Sequence, residues 1–388
     1  MNSGQVPVGI YLPHGDIPDQ RGFAPAIVAW EHARRMRHFE PLLFCARENR
    51  EHSLDESLPI SRFAESGLYR LFFRKWTRLD PWPLHRRAAR LAQRRKPRLW
   101  HAHQLEFPID DFRAALGQPI PVLVHAHVTC HRFRPEKGIA NRYLAVSRYV
   151  RERLVERQGY PADLIEILPN GVDVSLFCPA DGDEKRVLRQ ALGLPRDVLL
   201  ILFAGRKQLV KGFDVFLAVA EALSARFPDV YWLAVGPEPP DALREIGYRE
   251  RIQLRKKLLA AGRYQERPAM SQRELARFFR AADVLFAPSR TETQGMVVIE
   301  GMASGLVVIS NAVGGITESI RHEKNGFLLT SPGNVDEAVS RMETVFDQIT
   351  SLDDMRMAAR STTVEQFGWD AIVEQLENIY RQVLTAEG

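Results

Sequence analysis

Glu292 and Glu300 stand with seven residues between them in the segment PSRTETQGMVVIEGMASGLVVISNAVGG (288–315), and Gly295 falls between the two. The apolar run just before, DVLFAP (283–288), reads as a strand. Glu292 is then in the following loop, Gly295 where a helix would begin, and Glu300 inside its first turns. A helix N-terminus offers unpaired backbone N–H groups and the positive end of a dipole, which suits a diphosphate. Glycine lets a backbone come close to such a ligand. Carboxylates on either side can accept hydrogen bonds from sugar hydroxyls. Either glutamate alone reads equally well as an acid favoured by the helix dipole; it is the combination that points to chemistry.

A second constellation lies in ILFAGRKQLVKGFDVFLAVAEAL (201–223). A strand is expected to end at Gly205, with Arg206 and Lys211 in the loop before the next helix. Two cations at the carboxyl end of a strand can clamp a diphosphate and stabilise the charge that develops as a nucleotide leaves. The G-x-x-x-x-G-K-[ST] pattern of a P-loop is absent. His101, His103, His125, His127 and His131 gather near expected strand ends. No Cys or Glu completes a usual zinc spacing among them, so no metal is assigned there. Asp181-Gly182-Asp183 mimics a metal-binding D-x-D, but its polar surroundings read as a solvated turn, and no essential metal is expected.

The first constellation resembles the E-x7-E motif of family 4 of the GT-B glycosyltransferases, P-S-x-x-E-x-F-G-x-x-x-x-E-A-M-A-x-G. Pro288, Ser289, Glu292, Gly295, Glu300, Met302, Ala303 and Gly305 are in register, whereas Gln294 replaces the usual aromatic and Gly301 the usual Ala. The second resembles the family's G-R-x-x-x-x-K-G signature at every fixed position. ILPNGVDVSLFCP (167–179) is similar to the family's hinge, P-N-G-V-D-x-x-x-F-x-P, and reads as structural. The resemblance implies that Glu292 contacts hydroxyls of the donor sugar and that Glu300 holds the ribose. The loop at Thr293, Gln294, Gly295 and Met296 would line the pyrophosphate. It also implies that His127, the last histidine of PVLVHAH, approaches the donor sugar, and that Gly22, in the loop after the first strand, comes near the donor. The catalytic set it implies is His127, Arg206, Lys211 and Glu292, with retention at the anomeric carbon and no metal.

These residues need strands and helices to position them. VGIYL (8–12), PLLFCA (41–46), PVLVHA (121–126), RYLAV (142–146), LLILFAG (199–205), VYWLAVG (230–236), DVLFAP (283–288) and LVVIS (306–310) read as buried strands. Amphipathic stretches at 24–38, 147–158, 213–227 and 272–281 alternate with them. Such alternation implies βαβ units and parallel sheets. The 388 residues suggest two or three domains, and the turn-rich 167–185 ends the first series. The expected fold is α/β of the GT-B type, two doubly wound Rossmann-like domains facing a cleft that holds the ligand. Domain one would be 1–175, domain two 176–368, and the helix 369–388 would cross back to the first.

With 45% hydrophobic residues the chain can bury sizeable cores. No run of 18 apolar residues marks a membrane span, and the opening MNSGQVPVGIYLPHG does not read as a signal peptide. Three scattered cysteines fit a reducing cytoplasm. The net charge of +5 is concentrated: Leu68 to Arg98 holds eleven Lys or Arg and one acid, interleaved with Phe72, Phe73, Trp76 and Trp82. Lipid surface, solvated face and nucleic acid all compete for that stretch; no recognition motif supports nucleic acid. The expectation is a metal-independent hexosyltransferase without a cofactor, cytoplasmic and peripheral to the inner membrane face. It would use a UDP- or GDP-sugar, act on a lipid-linked acceptor in glycolipid or cell-surface glycan synthesis, and bind no nucleic acid. A nucleotide-sugar epimerase on the same fold and a non-catalytic sugar-nucleotide or membrane-binding module are the alternatives.

Overall fold

Strands covered by helices on both faces must be apolar along their length, and the strand segments of this chain are. The computed structural model describes residues 5–13, 23–45, 58–63, 80, 82–129 and 131–386. They divide into two compact units, one running to Asn170 and resuming at Trp369, the other spanning Gly171–Gly368.

The first unit is built on β1 (Val6–Leu12), α1 (Ala24–Arg35), β2 (Phe39–Cys45), β3 (Ile60–Arg62), α2 (Leu84–Arg95), β4 (Leu99–Ala102), α3 (Ile109–Leu116), β5 (Val122–Ala126), β6 (Arg142–Ala145), α4 (Arg148–Glu156) and β7 (Ile165–Ile167). Its seven strands are all parallel, in the order β3-β2-β1-β4-β5-β6-β7. Trp100 of β4 is fully buried and packs against Phe44 and Phe112 at 4.8 and 4.4 Å between ring centroids.

The second unit runs α5 (Gly182–Ala191), β8 (Leu199–Ala204), α6 (Phe213–Ser224), β9 (Val230–Val235), α7 (Tyr248–Ala260), β10 (Tyr264–Arg267), α8 (Gln272–Ala281), β11 (Val284–Ala287), α9 (Met296–Ala303), β12 (Val307–Asn311), α10 (Ile316–Ser319), β13 (Phe327–Leu329), α11 (Val335–Gln348) and α12 (Asp353–Phe367). The six parallel strands take the order β10-β9-β8-β11-β12-β13. Both sheets are doubly wound, reversing direction between β1 and β4 and between β8 and β11. Two short strands, β3 and β7, and the edge strands β10 and β13 extend the sheets beyond the runs read from sequence, as does the central β4.

The last helix, α13 (Trp369–Ala386), belongs to the first unit, where Trp369, Ile372, Leu376, Ile379 and Tyr380 are buried. Glu377, 2% exposed, accepts hydrogen bonds from the backbone N–H of Arg37 and His38, both at 2.8 Å, and so ties the α1–β2 turn to α13. The chain leaves and re-enters the second unit at neighbouring positions, since the Val172 N–H donates to the Phe367 carbonyl at 2.7 Å. Among the described residues no helix is long and apolar enough to cross a membrane.

Candidate active site

In a doubly wound sheet the crevice for a ligand opens beyond the carboxyl ends of the two strands where the winding reverses. In the second unit these are β8 and β11, and the two loops that follow them carry the two constellations read from sequence. Gly212 closes the first loop in left-handed backbone, at φ +70°, and a Cβ there would stand 1.9 Å from the Pro288 carbonyl oxygen. Only glycine lets the loops meet this closely. The Arg290 N–H donates to the Val210 carbonyl at 2.9 Å. The Arg290 guanidinium donates to the Leu209 carbonyl at 2.6 Å and grips Asp214 with two bonds of 2.7 Å. Neither Arg290 nor Asp214 carried a signal in the sequence, because what they do is hold one loop against the other.

The loops bring Lys211 onto Glu292. The Lys211 Nζ pairs with Glu292 Oε1 in a short ion pair, and Ser289 Oγ donates to the same oxygen at 3.1 Å. Asn311 Nδ2 fixes the Ser289 carbonyl at 2.9 Å. Arg206 is exposed and has no side-chain hydrogen bond or ion pair among the described residues. Its neighbour Lys207 is buried, with Nζ 2.8 Å from Glu266 Oε2. Burial alone would raise the Glu266 carboxyl, but hydrogen bonds from Arg255, Lys207 and Tyr264 outweigh it and hold the group below its ordinary value.

Gly295 stands at the N-cap of α9 with φ +89°, and Met296 begins the helix. Thr293 is half-buried, and Gln294 only 3% exposed. Glu300, also 3% exposed, lies one turn into α9. Burial pushes its carboxyl up to about 8, partly offset by a hydrogen bond with Gln272 at the start of α8. At the other end of α9, Arg360 donates at 2.7 Å to the Ala303 carbonyl and at 2.7 and 2.8 Å to those of Phe177 and Val174. Cationic capping of this kind stabilises a helix C-terminus and fixes the helix in place. Asp181, of the D-x-D look-alike, caps α5 by accepting from the Glu184 N–H at 2.8 Å, the work of a turn residue.

The first unit gathers its histidines more tightly than their spacing suggests. His101 lies in β4 and His103 just past it, His125 lies near the end of β5 and His127 just past it, and His32 of α1, which the sequence did not single out, stacks against them. Ring centroids are 5.8 Å apart for His32 and His125, 4.5 Å for His101 and His103, and 4.3 Å for His125 and His127. His103 Nδ1 and His127 Nε2 share a hydrogen bond of 3.1 Å, and His101 Nδ1 meets the Tyr380 hydroxyl at 2.7 Å. Burial lowers all five imidazoles, to about 3 for His32 and His127, so they are neutral at pH 7. His131 is not in the cluster; it faces Glu106 at 3.4 Å. Gly22 lies outside the described residues.

The family described as glycosyl transferases group 1 matches residues 184–362, and that described as glycosyltransferase family 4 matches residues 26–176. The two matches take in every strand of both sheets except β1. The chain belongs to the GT-B glycosyltransferases of the family 4 type. It is 32% identical over 246 residues to the D-inositol 3-phosphate glycosyltransferase of Streptomyces scabiei. That alignment takes in 62% of this chain and 54% of the relative. The chain thus spans about half the length of the curated relatives it matches. A glycosyltransferase of Rickettsia africae superposes with a TM-score of 0.80 at 19% identity, over 98% of this chain and 99% of the other. The Anabaena protein HepE, crystallised with UDP and glucose, superposes at 0.76 with 20% identity, over 97% and 100%. In this chain the departure at Gly301 has a local cause. A Cβ there would stand 2.5 Å from Leu285 Cδ2, so α9 lies too near β11 for alanine as the two are packed.

Proposed function

We propose that this chain is a retaining, metal-independent glycosyltransferase that moves a hexose from a UDP- or GDP-sugar to an acceptor hydroxyl. The observation that carries the reading is the Lys211–Glu292 pair, held where the winding of the second sheet reverses, with Arg206 in the same loop as Lys211 and the α9 N-terminus close behind Glu292 in sequence. Arg206, Lys211 and the N–H groups at Thr293, Gln294, Gly295 and Met296 receive the diphosphate and stabilise its charge as it leaves. A diphosphate competes with Glu292 for Lys211, and Glu292 then turns to the sugar hydroxyls. Glu300, as a carboxylate, accepts from the ribose. The acceptor oxygen attacks the anomeric carbon on the face from which the diphosphate departs, and its proton passes to the leaving phosphate oxygen. His127, neutral at pH 7, is assigned to the reacting sugar.

The acceptor is proposed to lie at an anionic membrane surface, as in glycolipid synthesis. Arg86, Arg90, Arg94 and Arg95 are exposed on α2, with Arg90 stacked 4.0 Å over Trp82, while Leu84, Ala88 and Ala92 face the core. Phe72, Phe73 and Trp76 lie outside the described residues. A soluble phosphorylated polyol is the second reading, favoured by the name of the curated relatives. The donor site is tested by a thermal-shift screen of nucleotide sugars, since a bound donor raises stability by mass action. One UDP- or GDP-sugar should raise the melting temperature of the unmodified chain and not that of Lys211→Ala. An unmodified chain that responds to none of them contradicts the reading.

A further inference from the structure

We propose that the first unit holds a transition-metal ion of the zinc class on His32, His103 and His125. The three come from different elements: His32 from the middle of α1, His103 just past β4, His125 near the end of β5. One ligand nitrogen from each lies within 4.8 Å of the other two. Some point then lies within about 2.8 Å of all three atoms, so sub-ångström shifts bring them to the roughly 2.0–2.1 Å of a zinc–imidazole bond.

The nitrogens are committed to nothing else in the described protein. Both ring nitrogens of His32 and of His125, and Nε2 of His103, are buried without a hydrogen-bond partner. The three residues are 0%, 5% and 0% exposed in chain order. An all-nitrogen set with no carboxylate favours zinc, cobalt, nickel or copper over magnesium or calcium.

The surroundings do what outer-shell groups do at metal sites. His103 is oriented through Nδ1 by His127 at 3.1 Å, and His101, held by Tyr380 at 2.7 Å, stacks on His103. Three protein ligands leave one coordination position open, as in sites that keep a water. The half-buried His127 marks the exposed side of the cluster. The sequence could not show this set, because His32 comes from a helix far upstream of the histidine run. The site is assigned no step in sugar transfer.

The probe is Co²⁺ added to the full chain after chelation and exchange, read by its visible absorption. The unmodified protein should take up one ion per chain with the intense band of a four-coordinate site, and Zn²⁺ should displace it completely. His32→Gln and His125→Gln should each lose the band, while His131→Gln keeps it. Should those variants fail to fold, X-ray absorption on the zinc-loaded unmodified chain gives the answer, with three imidazoles expected around the ion. No uptake of Co²⁺ or Zn²⁺ overturns the proposal, as do a weak six-coordinate spectrum, an unchanged band in His32→Gln or His125→Gln, or an ion without imidazole neighbours.

Discussion

Glu300 is a carboxyl whose burial and proposed duty pull in opposite directions. Burial holds it up to about 8, whereas a ribose diol is bound best by the charged form. Nucleotide binding should therefore release a proton near pH 7, and affinity should rise between about pH 6.5 and 8.5. Calorimetry in buffers of different ionisation enthalpy measures both. Glu300→Gln should abolish the pH dependence and lower nucleotide affinity about ten- to a hundredfold at high pH, given the roughly 1.5–3 kcal/mol of a hydrogen bond to a charged group. Unchanged affinity would remove Glu300 from the ribose. The same group bears on folding: its raised value gives stability that is full below the ordinary carboxyl range and is lost as pH rises through 8. Glu300→Gln should flatten that part of the melting-temperature profile between pH 5 and 9. At this scale a candidate role was legible where residue type suggests one, as at Lys211, Glu292 and Glu300. It was not legible for Arg290, Asp214 and His32, whose roles arise only from what the fold packs beside them.

Among the elements, the long apolar strands could be read from pattern alone, because burial on both faces leaves no polar positions, and α1, α4, α6, α8 and α13 could be read from their amphipathic spacing. The short β3, β7 and β13 could not, since three residues carry no periodicity. The central β4 was hidden by His101, a polar residue that is fully buried. The loop between β8 and α6 depends on one glycine. Gly212→Ala should cost the roughly 1–2 kcal/mol of a left-handed alanine, with the clash against Pro288 added, and should loosen Lys211 from Glu292. A lower melting temperature together with weaker nucleotide binding is expected; an unchanged protein would mean that the loops need not meet there. On α2, each arginine facing an anionic bilayer contributes about 1 kcal/mol, so the protein should pellet with anionic vesicles at low salt and not with zwitterionic ones. Changing Arg86, Arg87, Arg90, Arg94 and Arg95 to Gln should leave it in solution, and high salt should release the unmodified chain. If the unmodified chain ignores anionic vesicles, the acceptor is not presented on such a surface.

For the molecule as a whole, two doubly wound sheets and a last helix that rejoins the first unit were foreseeable from the alternation of strand and helix and from the turn-rich break. The break itself falls between Asn170 and Gly171, because Val172 already pairs with the backbone of the second unit. Transfer should survive EDTA, since Arg206 and Lys211 supply the charge that a divalent ion would; chelation should lower only the melting temperature, through the His32 site. Loss of turnover restored by Mg²⁺ or Mn²⁺ would show that the cations do not suffice. The central claim is that the sugar leaves its nucleotide and keeps its anomeric configuration. It is tested most directly by proton NMR of the anomeric signals while the protein turns over the nucleotide sugar selected by thermal shift. The expected result is nucleoside diphosphate released in step with a new glycoside of the donor's own configuration, lost in Lys211→Ala. An inverted glycoside, or an epimerised nucleotide sugar accumulating without any acceptor, would contradict it.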